Sequence, residues 1–307
     1  MSRRTVVVLA DPRDEHAIHV CAELARRGHT APILDSSDFP SRLQLTFDPL
    51  TGRGRITLSD GADLDWADVH SVYWRNYSGV APSPLPDAEQ AHIAENDARS
   101  LFESMLIRWP TRWVNGWDAY RLHQTKPAQL AAVAGLDLGG AVTVPATLLS
   151  NDPAAIVEFA RRHDDCIFKP VQGGAHTRPL TTRHLGEEHL ANLVHAPVTI
   201  QQRIEGTDVR VFLAGERLCA CELHTGALDF REDDDVRIEP AQLPDDVAAA
   251  CRRIAAALKL LWTGIDLRLA ADGRYHFFEA NPSPMFLGFE DRADLPLTDA
   301  LVSLLTD

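Results

Sequence analysis

The sequence predicts an α/β fold passing into α+β, with room for two or three small domains around one cleft in 307 residues. Three observations predict it. The opening residues read strand, amphipathic helix, strand, the start of a sheet with a helical crossover. From residue 198 onward, strand runs about short turns alternate with single helices, as in antiparallel sheets. The last strand pair sets Asp266, Glu279 and Asn281 among core-like residues.

In chain order, residues 5–10 are an apolar run of buried-strand length. Residues 14–27 carry Ile18, Cys21, Leu24 and Ala25 at helical spacing, with Gly28 as the stop. Residues 32–34 read as a second strand. The first strand–helix turn, 10–14, lacks Gly-x-Gly-x-x-Gly, which excludes the dinucleotide-binding fingerprint. Residues 43–47 and 55–58 alternate as a hairpin around 48–52, and 69–74 form another strand. The proline-rich stretch 81–86 is a loop, and 87–109 a long helix with Ile93, Leu101, Met105 and Leu106 inward. A second block opens near Val114-Asn115. It holds a helix over 122–134, a strand over 144–149 and a helix over 153–162 behind the cap signal Ser150-Asn151-Asp152-Pro153. A strand over 166–170 follows. Residues 198–204 are a strand before Gly206, and 209–213 with 217–223 make a hairpin about Ala214-Gly215-Glu216. The helix over 244–261 has Pro244 at its start and acids in its first turn. No internal repeat or low-complexity tract interrupts the chain.

The net charge of −14 argues against nucleic acid as a partner, which would need a basic stripe. It raises the need for local Lys and Arg wherever an anionic substrate binds. The five cysteines are scattered; Cys219 and Cys221 are separated by a single residue, so no Cys-x-x-Cys spacing exists. That usage points to a reducing, cytoplasmic setting. The apolar run before Asp11 is too short for a signal segment or a membrane span, so no membrane association is expected.

The terminal hairpin comprises residues 263–268, a turn at 271–273, and residues 275–282. Strand side chains alternate faces, so Glu279 and Asn281 share one and Asp266 can lie opposite them. Two carboxylates and an amide oxygen suit Mg²⁺ held partly by substrate phosphates. The competing reading is a surface hairpin whose acids serve solubility; the apolar neighbours Ile265, Leu267, Leu269, Phe277 and Phe278 weigh against it. Lys169 ends an apolar strand before Gly173-Gly174, His176 and Thr177. Glycine lets backbone N–H groups approach phosphate, and a strand-end lysine adds fixed charge. This is not a P-loop. The strand through Gln201 and Gln202 to Ile204 can offer backbone groups to an adenine edge, with Ile204 on the ring. Asp208 is a candidate for ribose hydroxyls. Arg210, on the same face, points toward the phosphates. His176 and His224 are candidate acid/base groups.

Lys126, Lys169, the glycine loop, the hinge strand and Asp…Glu-x-Asn, spread over 115–290, together resemble an ATP-grasp ligase. Within that superfamily the likeness is to graspetide synthetases, the microviridin-type ligases that crosslink ribosomal peptides. It rests on Lys126-Pro127-Ala128-Gln129-Leu130, on residues 144–153, on Asp208-Val209-Arg210-Val211 and on Leu228-Asp229-Phe230-Arg231. Ser71-Val72-Tyr73-Trp74-Arg75 and Arg112-Trp113-Val114-Asn115 extend it toward the N-terminus. The chain departs from the family at Ser283-Pro284-Met285-Phe286, at Arg75-Asn76-Tyr77, and at Asp-Phe-Arg in place of Asp-Trp-Arg.

The resemblance implies an ATP-grasp fold behind an N-terminal α/β pre-ATP-grasp domain, with units at 1–114, 115–197 and 198–307. It implies ATP and Mg²⁺ as cofactors, with Lys126, Lys169, Gly173, Gly174, Gln201, Gln202, Ile204 and Asp208 at the nucleotide and Asp266, Glu279 and Asn281 at the metal. It implies that γ-phosphate passes to a carboxylate and that an amine or hydroxyl attacks the acyl phosphate. Arg210, Arg231 and Arg268 are the expected catalytic cations. The implied partner is a precursor peptide, a leader plus an acidic, Thr- or Lys-bearing core, contacted by the Tyr73, Trp74, Arg75 and Tyr77 strand end unless those rings are interface core. Self-association is also compatible. Two alternatives stay open: a ligase adding an amino acid to a small molecule or protein C-terminus, like the ribosomal-protein glutamate ligases, and a non-catalytic nucleotide- or peptide-binding module.

Overall fold

The computed structural model describes residues 3–228, 230–233 and 235–307, the side chain of Arg231 excepted. The first sheet starts with β1 (Val6–Leu9), crosses through α1 (Glu15–Arg26) and returns parallel as β2 (Ile33–Leu34). Asp14 caps α1, accepting from the Ala17 amide at 2.8 Å. The buried face of α1 is His16, Ala17, Val20 and Leu24, and Ile18 is 49% exposed. Leu24 of the expected stripe is buried and Cys21 packs against the core, but Ile18 and Ala25 face out, so the expected face is corrected by part of a turn toward His16, Ala17 and Val20. A meander of β3 (Gln44–Asp48), β4 (Arg53–Thr57) and β5 (Asp63–Asp65) precedes β6 (Ser71–Trp74), which pairs parallel with β1. The long helix α2 (Ala88–Arg108) buries Ala98, Phe102, Met105 and Leu106, while Ile93 faces out at 50% exposure, against expectation. β7 (Arg112–Val114) closes the sheet in the order β2-β1-β6-β7.

The single helix expected over 122–134 is two, α3 (Trp117–Gln124) and α4 (Lys126–Ala134). The break is Thr125, at φ −114° and ψ 63°. Pro127 causes it: proline is tolerated in a first turn but not in a helix interior, so a new helix starts just before it. β8 (Val142–Thr143) leads to β9 (Thr147–Ser150), α5 (Pro153–Arg162), β10 (Cys166–Pro170), β11 (Arg178–Pro179), α6 (Glu187–Leu190) and β12 (Val198–Gln202). α5 begins on the Asp152 cap, as the sequence indicates. A small sheet runs β11-β10-β12-β9, so β12, just past residue 197, completes it.

The large sheet takes β13 (Gly206–Ala214), β14 (Arg217–His224), β15 (Arg237–Ala241), then α7 (Asp245–Ala257), β16 (Trp262–Ala270) and β17 (Tyr275–Asn281). Its order is β15-β14-β13-β16-β17-β8. α7 ends short of 261 because Lys259 turns left-handed, at φ 57°. Gly206 carries the chain between the two sheets at φ +155°, with its Cα against the Leu269 carbonyl, where a Cβ has no room. α8 (Leu287–Ala293) and α9 (Leu297–Thr306) complete the chain. The large sheet is covered on both sides. Val209, Val211 and Ile265 pack with α7, α3 and α4, while Phe212 and Trp262 pack with α9, α1 and β1. Strand alternation produces both faces from one sequence. Among the described residues all five cysteines are free thiols, and no helix is long and apolar enough to cross a membrane.

His16 is buried against Phe286, ring centroids 4.8 Å apart, and its Nδ1 has no hydrogen-bond partner. Burial, with Arg75 adding to it and Asp14 opposing, lowers the imidazole from 6.5 to about 4. The unfolded chain therefore binds this proton first as pH falls. The stability from a neutral His16 is fully present above pH 6.5 and lost toward pH 4, about 3 kcal/mol in all. His16→Gln is expected to remove that part of the pH dependence, read by urea denaturation at pH 7 and pH 4.5. A difference between wild type and variant that stays constant with pH would count against it.

Candidate active site

The terminal hairpin exists, and its register sets the donors. Asp266 lies directly opposite Glu279, and Gly264 opposite Asn281, with a bulge after Asp266. The Asn281 Oδ1 accepts from the Ser283 amide at 2.9 Å. Lys126, at the start of α4, donates from Nζ to Glu279 Oε2 at 2.9 Å. Burial pushes the Glu279 carboxyl up, but Lys126, aided by His123 and Lys169, more than offsets it, and the group titrates below its ordinary range. Arg210 on β13 opposes Asp266 across the sheet and donates to its Oδ1. The guanidinium is buried, packs against the Phe212 and Phe289 rings at 5.6 and 5.7 Å, and leaves Nε without a partner.

Asp208 and Arg268 are also cross-strand neighbours. Arg268 donates to Asp208 through Nε at 2.8 Å and to the Ile204 carbonyl at 3.1 Å. Opposite charges at paired positions are a recurrent sheet contact. From the small sheet, Lys169 Nζ donates to Gln201 Oε1 at 3.4 Å, and Gln201 Nε2 to Thr147 Oγ1 at 2.8 Å. Buried Gln201 thus steadies the lysine, while Gln202 faces outward. Gly173 and Gly174 turn at φ +115° and +91°, and the loop passes beside Lys126.

These residues share one cleft of about 690 Å³ between the two sheets. The nucleotide candidates Lys126, Lys169, Gly173, Gly174, Gln201 and Gln202 line it, as do Ile204 and Asp208. So do the metal candidates and the cations Arg210 and Arg268. Arg231 is outside the described side chains, as is Asp229 beside it. His176 lies 3.8 Å from Glu232, and His224 stands between Glu222 and Glu239; neither lines the cleft. Tyr73 and Trp74 are buried in the core, and Arg75 is spent on Asp14 and the Ser283 and Pro284 carbonyls. Tyr73 is therefore interior, packed on the sheet face toward α1 and α9, while Trp74, Arg75 and Tyr77 line a second, smaller cavity of about 300 Å³. Sequence reasoning missed His123, whose Nδ1 lies 3.8 Å from Glu279; it sits on α3, across the break from Lys126, so no helical spacing announced it.

The donor set fits Mg²⁺. Among the described residues no three His, Cys, Asp or Glu gather, so two carboxylates and one amide oxygen are what the protein offers. Mg²⁺ is commonly held so, by one or two carboxylates with substrate phosphates completing the shell.

No family model matches the chain, and no curated protein matches it. Solved structures do. The ATP-grasp ligase PsnB, complexed with a minimal precursor, shares 32% identity at a TM-score of 0.83, covering 100% of this chain and 99% of that one. The macrocyclase MdnC of Microcystis aeruginosa MRC, bound with precursor peptide MdnA, has 22% identity and a TM-score of 0.83, covering 99% of both chains. The RiPP-associated ATP-grasp ligase of Chryseobacterium gregarium, in complex with ADP and a leader and core peptide, has 20% identity and a TM-score of 0.84, covering 99% and 97%. The last two show the fold.

Two facing sheets, with Lys169 and a glycine loop on one side and an acidic hairpin gripped by Lys126 on the other, define an ATP-dependent ligase of the grasp type. With full-length likeness to PsnB, the chain belongs to the ATP-grasp ligases of the graspetide-synthetase family. It is an ADP-forming ligase that uses ATP and Mg²⁺.

Proposed function

We propose that this ligase activates Asp or Glu side-chain carboxylates of a ribosomal precursor peptide and joins them to hydroxyl or amine side chains, closing ester or amide rings. The observation that carries the reading is the pairing of the cleft's donor set with end-to-end likeness to PsnB, a ligase complexed with precursor peptide PsnA2. Phosphoryl transfer asks a protein for positioning and charge neutralisation rather than covalent help. Lys126 and Lys169 flank the glycine loop, where nucleotide phosphates would meet both charges and the N–H groups of Gly173 and Gly174. Ile204 and the backbone at 201–204 would hold the base, and Asp208 the ribose. Asp266, Glu279 and Asn281 would hold Mg²⁺, which supplies charge neutralisation between the phosphates. Arg210 and Arg268 would hold the substrate carboxylate and the oxyanion formed when the acceptor attacks.

We further propose residues 1–114 as the peptide-docking unit, a cytoplasmic setting and self-association; the halves expected at 115–197 and 198–307 are corrected to the small sheet with β12 and the large sheet with β8, which we propose close on the nucleotide. The test is mass spectrometry of the enzyme with ATP, Mg²⁺ and an acidic, Thr- or Lys-bearing peptide behind its leader. One water lost per bond, with matched ADP release, is expected; ATP turnover without crosslinks would overturn the substrate assignment.

Lys169→Ala is expected to weaken ATP binding about 10- to 150-fold, the range of a charge-assisted phosphate contact at roughly 1.5–3 kcal/mol. Calorimetry checks it. An unchanged dissociation constant would overturn the phosphate role of Lys169.

A further inference from the structure

We infer that Gln129 is a positioning residue that registers the metal-ligand strand against the helix carrying Lys126. The inference rests on the reading of Glu279 and Asn281 as Mg²⁺ ligands. Ala280 stands between those two and is fully buried. β8 pairs with β17 only at Tyr275 and His276, so among the described residues no strand lies beyond the edge at Ala280. The Gln129 carboxamide takes the place of that strand. It accepts from the Ala280 N–H at 2.9 Å and donates to the Ala280 carbonyl at 2.9 Å. One donor and one acceptor facing a peptide's own donor and acceptor allow a single orientation of the amide. Gln129 is 3% exposed, so neither group has bulk water as a substitute.

The consequence reaches the site through helix geometry. Lys126 and Gln129 are three residues apart on α4 and share a face. Lys126 grips Glu279 while Gln129 grips Ala280, so one helix face holds two consecutive strand residues. Beyond them, Thr263 Oγ1 donates to the Asn281 carbonyl at 2.8 Å and Asn115 Nδ2 to the Pro282 carbonyl at 2.7 Å. The peptide planes on either side of Ala280 set the directions of the Glu279 and Asn281 side chains together. Mg²⁺ demands near-octahedral geometry, so a small displacement of this edge costs metal affinity before it costs the fold.

The test is isothermal calorimetry of ADP binding, with Mg²⁺ and with EDTA, on Gln129→Met, Gln129→Asn and Glu279→Ala beside the wild type. Met keeps the length and loses both hydrogen bonds; Asn keeps the amide and cannot reach. Each Gln129 variant is expected to lose about 10- to 100-fold in Mg·ADP affinity, the range for residues that orient metal ligands, with ADP affinity in EDTA unchanged. The Mg²⁺ concentration for half-maximal turnover is expected to rise in step, with kcat at saturating Mg²⁺ changed less. If Gln129→Met does not fold, Gln129→Asn alone decides. Unchanged Mg·ADP affinity, or equal losses with and without Mg²⁺, overturns the inference. Glu279→Ala separates the two readings. If it alone loses Mg·ADP binding, the ligand assignment stands and the Gln129 role falls; if no variant loses it, both fall.

Discussion

Glu279→Gln is expected to lower ADP formation about 10²- to 10³-fold, the scale of removing one preorganised electrostatic partner from phosphoryl-transfer chemistry. The residue faces Asp266 on the neighbouring strand and takes the Lys126 ammonium at 2.9 Å. The amide keeps the volume and one acceptor oxygen but removes the charge that Mg²⁺ and Lys126 share. The fold is expected to persist, because the site opens to the cleft and Lys126 can reach water. An ADP-release assay across Mg²⁺ concentrations, beside a thermal melt, checks this. Full activity with ordinary Mg²⁺ saturation would sink the metal assignment.

Arg210→Lys is expected to bind Mg·ADP within a few-fold of wild type and lose about 10²-fold or more in peptide crosslinking. Arg210 is buried, held by Asp266 on one side and by the Phe212 and Phe289 rings on the others, with Nε uncommitted. A planar fork can take a carboxylate with two N–H groups while keeping Asp266; an ammonium cannot reproduce that geometry. Calorimetry and crosslink counting by mass spectrometry decide it. Lost nucleotide affinity, with crosslinks per bound ATP unchanged, would make Arg210 a nucleotide contact. Arg231 carries a parallel expectation from Leu228-Asp229-Phe230-Arg231, and the same pair of measurements on Arg231→Lys applies to it.

Several elements were legible because their causes are local. α5 starts where Asp152 caps and Pro153 presets the first turn. β10 is a short apolar run ending at Lys169-Pro170. The hairpin of β16 and β17 follows from two alternating runs about Ala271-Asp272-Gly273, and strand alternation puts Glu279 and Asn281 on one face without knowledge of any neighbour. The cleft lining was legible for a similar reason: strand-end lysines, paired glycines and acids in apolar hairpins are each unusual where they stand. The break at Thr125 is legible too, in Pro127, although the apolar spacing over 122–134 is continuous through it.

What the sequence by itself determined is the inventory: an oxygen-donor hairpin, two lysines, a glycine loop, and the strand and helix runs that present them. What only the tertiary structure decided is who faces whom. Arg210 meets Asp266 across 56 residues of chain, and Arg268 meets Asp208 across 60. Tyr73 goes inside because α1 and α9 cover one face of the first sheet, and Trp74 because α2 covers the other. The stripe of α1 that turns inward, and the Gln129 amide that finishes an edge 151 residues away, likewise depend on which element docks beside which. Periodicity is a property of a few consecutive residues. Register and docking are set by the burial of whole faces, where several pairings satisfy the local pattern and packing of the complete chain selects one.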